Sequence, residues 1–150
     1  MWSMFQDCYR LTSVDSVNFY NSSQTKINTA YLFSGCTNLK SIPNTVRLPK
    51  ELSWCDSMFQ NCPNLESIDT DVNVNNSYVS GLFSDCPNLV TLKNVQLNSV
   101  SATFIFCNCR NLVDVSNVTF LNTNVNAYGM FQNCSNLNVS TVNIAGKDIT

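Results

Sequence analysis

Read for apolar positions alone, the chain keeps one beat. Met4-Phe5 is followed at steps of three by Cys8, Leu11 and Val14, and the string returns as Leu32-Phe33, Cys36, Leu39 and Ile42. It recurs as Met58-Phe59, Cys62, Leu65 and Ile68, and as Leu82-Phe83, Cys86, Leu89 and Leu92. Ile105-Phe106, Cys109, Leu112 and Val115 follow, and then Met130-Phe131, Cys134 and Leu137, after which Ser140 takes the next apolar slot. Successive phenylalanines lie between 23 and 28 residues apart. Self-similarity at such a period signals a solenoid, in which each copy buries its apolar face only against its neighbours.

A second motif closes each copy, an apolar–polar–apolar triplet: Val17-Asn18-Phe19, Val46-Arg47-Leu48, Val72-Asn73-Val74, Val95-Gln96-Leu97, Val118-Thr119-Phe120 and Val142-Asn143-Ile144. Alternation with β-branched residues predicts a short strand buried on one face. Between triplet and next phenylalanine the chain is rich in Asn, Ser and Thr. There Ile27 with Tyr31, and Leu52 with Met58, stand at loosely helical spacing, so Thr25 to Leu32 and Lys50 to Met58 predict short helices or 3₁₀ turns. The expected fold is an α/β repeat solenoid, with a parallel sheet on one face and short helices or turns on the other. It forms one domain over residues 1–150, with units at approximately 1–23, 24–50, 51–76, 77–99, 100–123 and 124–150. Stacking puts like residues over like, with strands about 4.8 Å apart.

With those residues laid out, the unit [Met/Leu/Ile]-Phe-x-x-Cys-x-Asn-Leu-x-x-[Ile/Val/Leu] resembles the BspA-like leucine-rich repeats. It looks especially like the Asn-rich Met-Phe-x-x-Cys versions of bacterial surface proteins and phage proteins. The resemblance covers essentially the whole chain. It implies a right-handed solenoid used for adhesion or protein binding, as part of a longer protein on a cell surface, in the extracellular space or on a virion. No partner is implied, because repeat folds host many unrelated binding functions.

Composition narrows the function further. Charged residues make up 12% of the chain and the net charge is −2. No basic stretch is available to neutralise a phosphate backbone, so nucleic acid is not an expected partner. No apolar run approaches the ~20 residues that span a bilayer, so membrane insertion is not expected either. The chain has no histidine, which removes the usual general base and the commonest metal ligand. A cysteine nucleophile would have no imidazole to activate it, so an enzyme is not expected, nor a cofactor or metal.

Six of the eight cysteines (Cys8, Cys36, Cys62, Cys86, Cys109 and Cys134) hold one repeat position and should stack as a ladder of free, buried thiols. Two others, Cys55 and Cys107, lie off register. The Asn two residues after the ladder Cys (Asn38, Asn64, Asn88, Asn111 and Asn136) is read as structural. Asn tolerates the left-handed conformation and hydrogen-bonds backbone in tight turns, so these residues should stitch successive turns together.

The middle residues of the triplets are the candidate binding surface. If Val17 and Phe19 point inward, Asn18 points out, and likewise Arg47, Asn73, Gln96, Thr119 and Asn143. Asp71, Asn94, Asn117, Tyr20 and Asn98 flank that row, and Arg47 is the single charge within it. The expected function is recognition of a protein or glycan partner through this polar sheet face. The competing reading is a structural spacer or decoration domain of a phage particle or surface assembly, making end-to-end contacts through its terminal coils.

Overall fold

The computed structural model describes residues 1–15, 17–19 and 27–144. Among the described residues eight strands follow one another: β1 (Ile27–Asn28), β2 (Ser41–Ile42), β3 (Leu52–Trp54), β4 (Ser67–Asn75), β5 (Tyr78–Ser80), β6 (Thr91–Asn98), β7 (Ser101–Thr103) and β8 (Val118–Phe120). All the pairings are parallel. The main sheet runs β1-β3-β4-β6-β8, with β2 also on β4, and β5 pairs β7 in a second, smaller sheet. The chain is therefore a parallel β-solenoid, each coil laying its strands beside those of the next.

Like residues do stack over like. Phe33, Phe59, Phe83 and Phe106 are fully buried and form one column of parallel rings, with centroids 5.3 to 5.5 Å apart. Phe5 and Phe131 extend it at either end, at 5.5 and 5.6 Å. Beside it run a cysteine column, a leucine column (Leu39, Leu65, Leu89, Leu112) and the inward residues of the triplets. Phe19 fills the first coil differently, packing edge-on against both Phe5 and Phe33. The sheet register keeps the columns aligned, with Val72 opposite Val95 and Val95 opposite Val118.

The turns around each phenylalanine are as regular as the strands. In each unit the residue two before the phenylalanine and the residue two after it are left-handed: Ser3 and Asp7, Tyr31 and Gly35, Ser57 and Asn61, Gly81 and Asp85, Phe104 and Asn108, Gly129 and Asn133. Tight turns with i to i+3 bonds surround them, such as Cys36 N–H to Phe33 O and Cys109 N–H to Phe106 O, both at 3.1 Å. For Tyr31 and Phe104 this backbone is costly. Bonds between coils hold it, since Tyr31 N–H donates to Asp56 O at 3.0 Å and Phe104 N–H to Tyr128 O at 3.1 Å. Gly129 has a second reason to be glycine, because a Cβ there would lie 2.4 Å from the Phe104 ring.

Two expectations are corrected here. The helices expected on the face opposite the main sheet are absent among the described residues, where the one helical element is a 3₁₀ turn at Val139–Thr141. Ile27 and Leu52 instead lie in extended strands paired to each other, and β5 and β7 form a second sheet on the equivalent segments. The reason is physical: Asn, Ser and Thr offer the backbone side-chain partners that compete with helix. The helical spacing of Ile27 and Tyr31 was also fortuitous, since Ile27 is buried while Tyr31 is exposed at a left-handed turn. The other correction concerns the left-handed residue of the turn. It precedes the ladder cysteine by one residue, and the asparagines two residues after that cysteine keep ordinary backbone.

Candidate functional site

The cysteine column carries a polar ladder that its apolar surroundings conceal. All eight cysteines are free thiols. Each ladder thiol beyond the first donates to the phenylalanine carbonyl of the preceding coil: Cys36 to Phe5, Cys62 to Phe33, Cys86 to Phe59, Cys109 to Phe83 and Cys134 to Phe106, all at 3.0 to 3.1 Å. A thiol is small enough to stack and still satisfies a carbonyl that water cannot reach. Burial pushes the Cys36 thiol up to about 12 and Cys134 to about 11, and drives Cys55 and Cys109 higher still. A Cys62 thiolate would be held down by accepting from Cys86, while burial, and then that neighbour, raises Cys86 well above the ordinary range. The thiols that burial raises are poor nucleophiles, because reactivity belongs to the thiolate.

Off the ladder, Cys55 is fully buried, and Cys107 is half-buried with its Sγ 3.8 Å from Gln132 Oε1. Among the described residues no three of His, Cys, Asp and Glu come together as metal ligands would. The asparagines after the ladder cysteines face solvent and reach back one coil: Asn38 Nδ2 donates to Tyr9 O, Asn64 Nδ2 to Thr37 O and Asn111 Nδ2 to Asn88 Oδ1. Asn136 is exposed at the last turn.

On the main sheet, the outward triplet residues fall into two groups. Asn73, Gln96 and Thr119 stand in register on β4, β6 and β8. Asn18 and Arg47 bridge each other, with Arg47 N–H donating to Val17 O and Phe19 N–H to Arg47 O. Arg47 and Asn73 are not neighbours in that ladder. On this side β4 takes β2 at its start and Leu52 of β3 opposite Val74, and the Pro49-containing segment stands off between them. The tie there is a side chain, Thr70 Oγ1 donating to Val46 O at 3.0 Å. Asn143 is exposed and lies beyond the last strand. Of the flanking residues, Asp71 is opposite Asn94, and Asn117 Nδ2 donates to Leu92 O. Tyr20 lies outside the described residues.

The gap is a cleft of about 370 Å³ lined by Arg47, Lys50, Thr70, Asp71, Asn73 and Lys93, among others. The described residues include six basic ones (Arg10, Lys40, Arg47, Lys50, Lys93 and Arg110), and half of them line this one cleft. Their single acidic companion in the lining is Asp71, 3.5 Å from Lys93 and half-exposed, a pair worth little in water. Asn73 Oδ1 is buried with no hydrogen-bond partner among the described residues. An acceptor left in that state costs roughly 1–3 kcal/mol unless something donates to it. Sequence reasoning found Arg47 and Asn73 but missed Lys50, Thr70 and Lys93. The one available signal was the proline pair, Pro43 and Pro49, which marks a coil whose backbone cannot follow its neighbours.

These features define a class, the leucine-rich-repeat solenoid with a parallel sheet on one face. The sequence matches the BspA type leucine-rich repeat region in six copies across residues 3–138, and the chain belongs to that family. No curated protein and no solved structure gives a significant match. The family is one of protein-interaction and adhesion modules and is generally non-enzymatic.

Proposed function

We propose that this chain recognises a protein or glycan partner on a cell or particle surface through the polar face of its main sheet, anchored at the Arg47 cleft. What carries the reading is the clustering of Arg47, Lys50 and Lys93 around one cleft in a chain of net charge −2, beside the in-register row Asn73, Gln96 and Thr119. The complementary ligand group is an acid with a neighbouring N–H or O–H, which would pair Arg47 and Lys50, neither in an ion pair among the described residues, and donate to Asn73 Oδ1. The row itself offers adaptable amide and hydroxyl contacts on a rigid frame, as recognition by a solenoid surface requires. A second reading, a spacer held end to end in an assembly, is favoured by the large apolar residues exposed on the terminal coils, Trp2 and Met4 at one end and Val139 at the other.

A pull-down from cell-surface extract separates the two. The variant carries Arg47→Glu, Gln96→Glu and Thr119→Glu, sites open enough to take a charge; Asn73 is left alone because its oxygen is buried. Circular dichroism checks that it folds. The expected result is a ligand held by the wild type and lost by the variant. Equal capture by both, or none by either, rejects the sheet face and puts the spacer first.

A further inference from the structure

A second depression lies where the two sheets meet, at the ends of β4 and β6. It encloses about 330 Å³ and is lined by Ser53, Trp54, Asn75, Ser77, Asn98 and Asn122, with Asn76, Ser99 and Val100 completing it. No charged residue is among them. Trp54, 48% exposed, is the one aromatic residue in this lining and offers an indole face beside the amides. Its backbone is pinned, since Thr29 gives both its N–H (2.7 Å) and its Oγ1 (3.1 Å) to the Trp54 carbonyl, and Cys55 beside it is fully buried. The opposite side is equally set. Ser99 is buried, with its hydroxyl shared between Ser77 O and Ser101 O.

Along the floor runs an amide ladder: Asn75 Nδ2 donates to Glu51 Oε2 and Asn98 Nδ2 to Asn75 Oδ1. It ends with capacity to spare. Asn98 Oδ1 is left as an acceptor, Asn122 has its Nδ2 as a donor once its Oδ1 accepts from Asn124 N–H, and the Ser53 and Ser77 hydroxyls make no side-chain bond among the described residues.

The occupant follows from this chemistry. An ionic ligand would find no countercharge in the lining. A wholly apolar ligand would cover amides and hydroxyls without pairing them. A ligand with a flat C–H face for the indole and a set of neutral hydroxyls for the amides satisfies both surfaces, and the volume falls within the range of small-molecule pockets. We infer that this groove is a binding site for a neutral saccharide, stacked on Trp54 and hydrogen-bonded by Asn98 and Asn122. It is separate from the Arg47 cleft and stands or falls independently of it.

Affinity electrophoresis tests the assignment, with native gels cast with mannan, galactan, dextran or xyloglucan, and with alginate as the charged comparison. The wild type is expected to be retarded by at least one neutral polysaccharide. Trp54→Ala and Asn98→Leu should each weaken that retardation about tenfold or more, a loss of one good stacking or amide contact. Trp54→Tyr should keep most of it, and Arg110→Glu, at an exposed residue outside both linings, should leave it unchanged. Thermal melts identify any variant that fails to fold, and Asn98→Leu decides the matter if Trp54→Ala does. Retardation by alginate alone, by none of the neutral polymers, or equally in wild type and both loss variants overturns the inference. Loss in Arg47→Glu alone would assign the saccharide to the sheet cleft instead.

Discussion

Replacing Phe83 by alanine is expected to destabilise the fold by about 3–5 kcal/mol, the cost of emptying a large buried aromatic site. Phe83 has no exposed surface and is stacked on both sides, 5.3 Å from Phe59 and 5.3 Å from Phe106. Removing it takes away two ring contacts and leaves a hole between coils that cannot collapse. The coil spacing is set by the sheet on one side and by the stacked turns on the other, where Phe59 N–H donates to Leu82 O and Phe83 N–H to Ile105 O. The same change at Phe131 should cost clearly less, because that ring is half-buried and stacks on Phe106 on one face. Urea denaturation measures both. Equal losses at the two positions, or a loss below 1 kcal/mol at Phe83, would mean that the column is not the core.

Alkaline pH is expected to unfold the protein earlier than an ordinary chain of this size. The sign follows from the thiols. An unperturbed cysteine ionises near 8.5, whereas burial raises Cys36, Cys55, Cys109 and Cys134 in the fold. The unfolded chain then binds fewer protons than the native one above that pH, and stability falls as pH rises. The stabilisation is fully present below about pH 8.5. It is lost progressively above that, through about 11 for Cys134 and about 12 for Cys36. Each thiol kept protonated only in the fold removes about 1.4 kcal/mol per pH unit. The thermal midpoint, measured with reductant present, should be flat to near pH 8.5 and then drop steeply. Cys55→Ala should make the drop shallower, separating the thiols from tyrosine and lysine ionisation. A midpoint unchanged between pH 8.5 and 10.5 would contradict the buried thiol ladder.

The columns were readable in the sequence because stacking demands identity at one position. Nothing but an apolar group of fixed size fits where Phe33, Phe59, Phe83 and Phe106 lie, so the period shows directly. The paired left-handed residues were hidden, since Ser3, Tyr31, Ser57 and Phe104 are not residues that announce positive φ. Interactions between coils impose that conformation, and a single coil gives no sign of it. Helices were inferred from two apolar pairs at helical spacing. The strands that replace them are set by pairing to the next coil, which is equally invisible within one unit. Outwardness of the triplet centres could be derived from alternation alone. The Arg47 cleft could not, because it depends on the Pro49 segment parting from β4. The Trp54 groove was also out of reach, being formed only where two sheets, one of them unforeseen, come together.

The main sheet face, rather than the solenoid ends, is the surface proposed to meet the partner. Photo-crosslinking tests it most directly, with benzoylphenylalanine placed either at Thr119, exposed on β8, or at Val139, exposed on the terminal coil. Each protein is irradiated in cell-surface extract and resolved by mass. The expected result is an adduct from position 119, suppressed by Arg47→Glu, and none from position 139. An adduct from 139 with none from 119 would contradict it and identify the chain as a spacer joined through its ends.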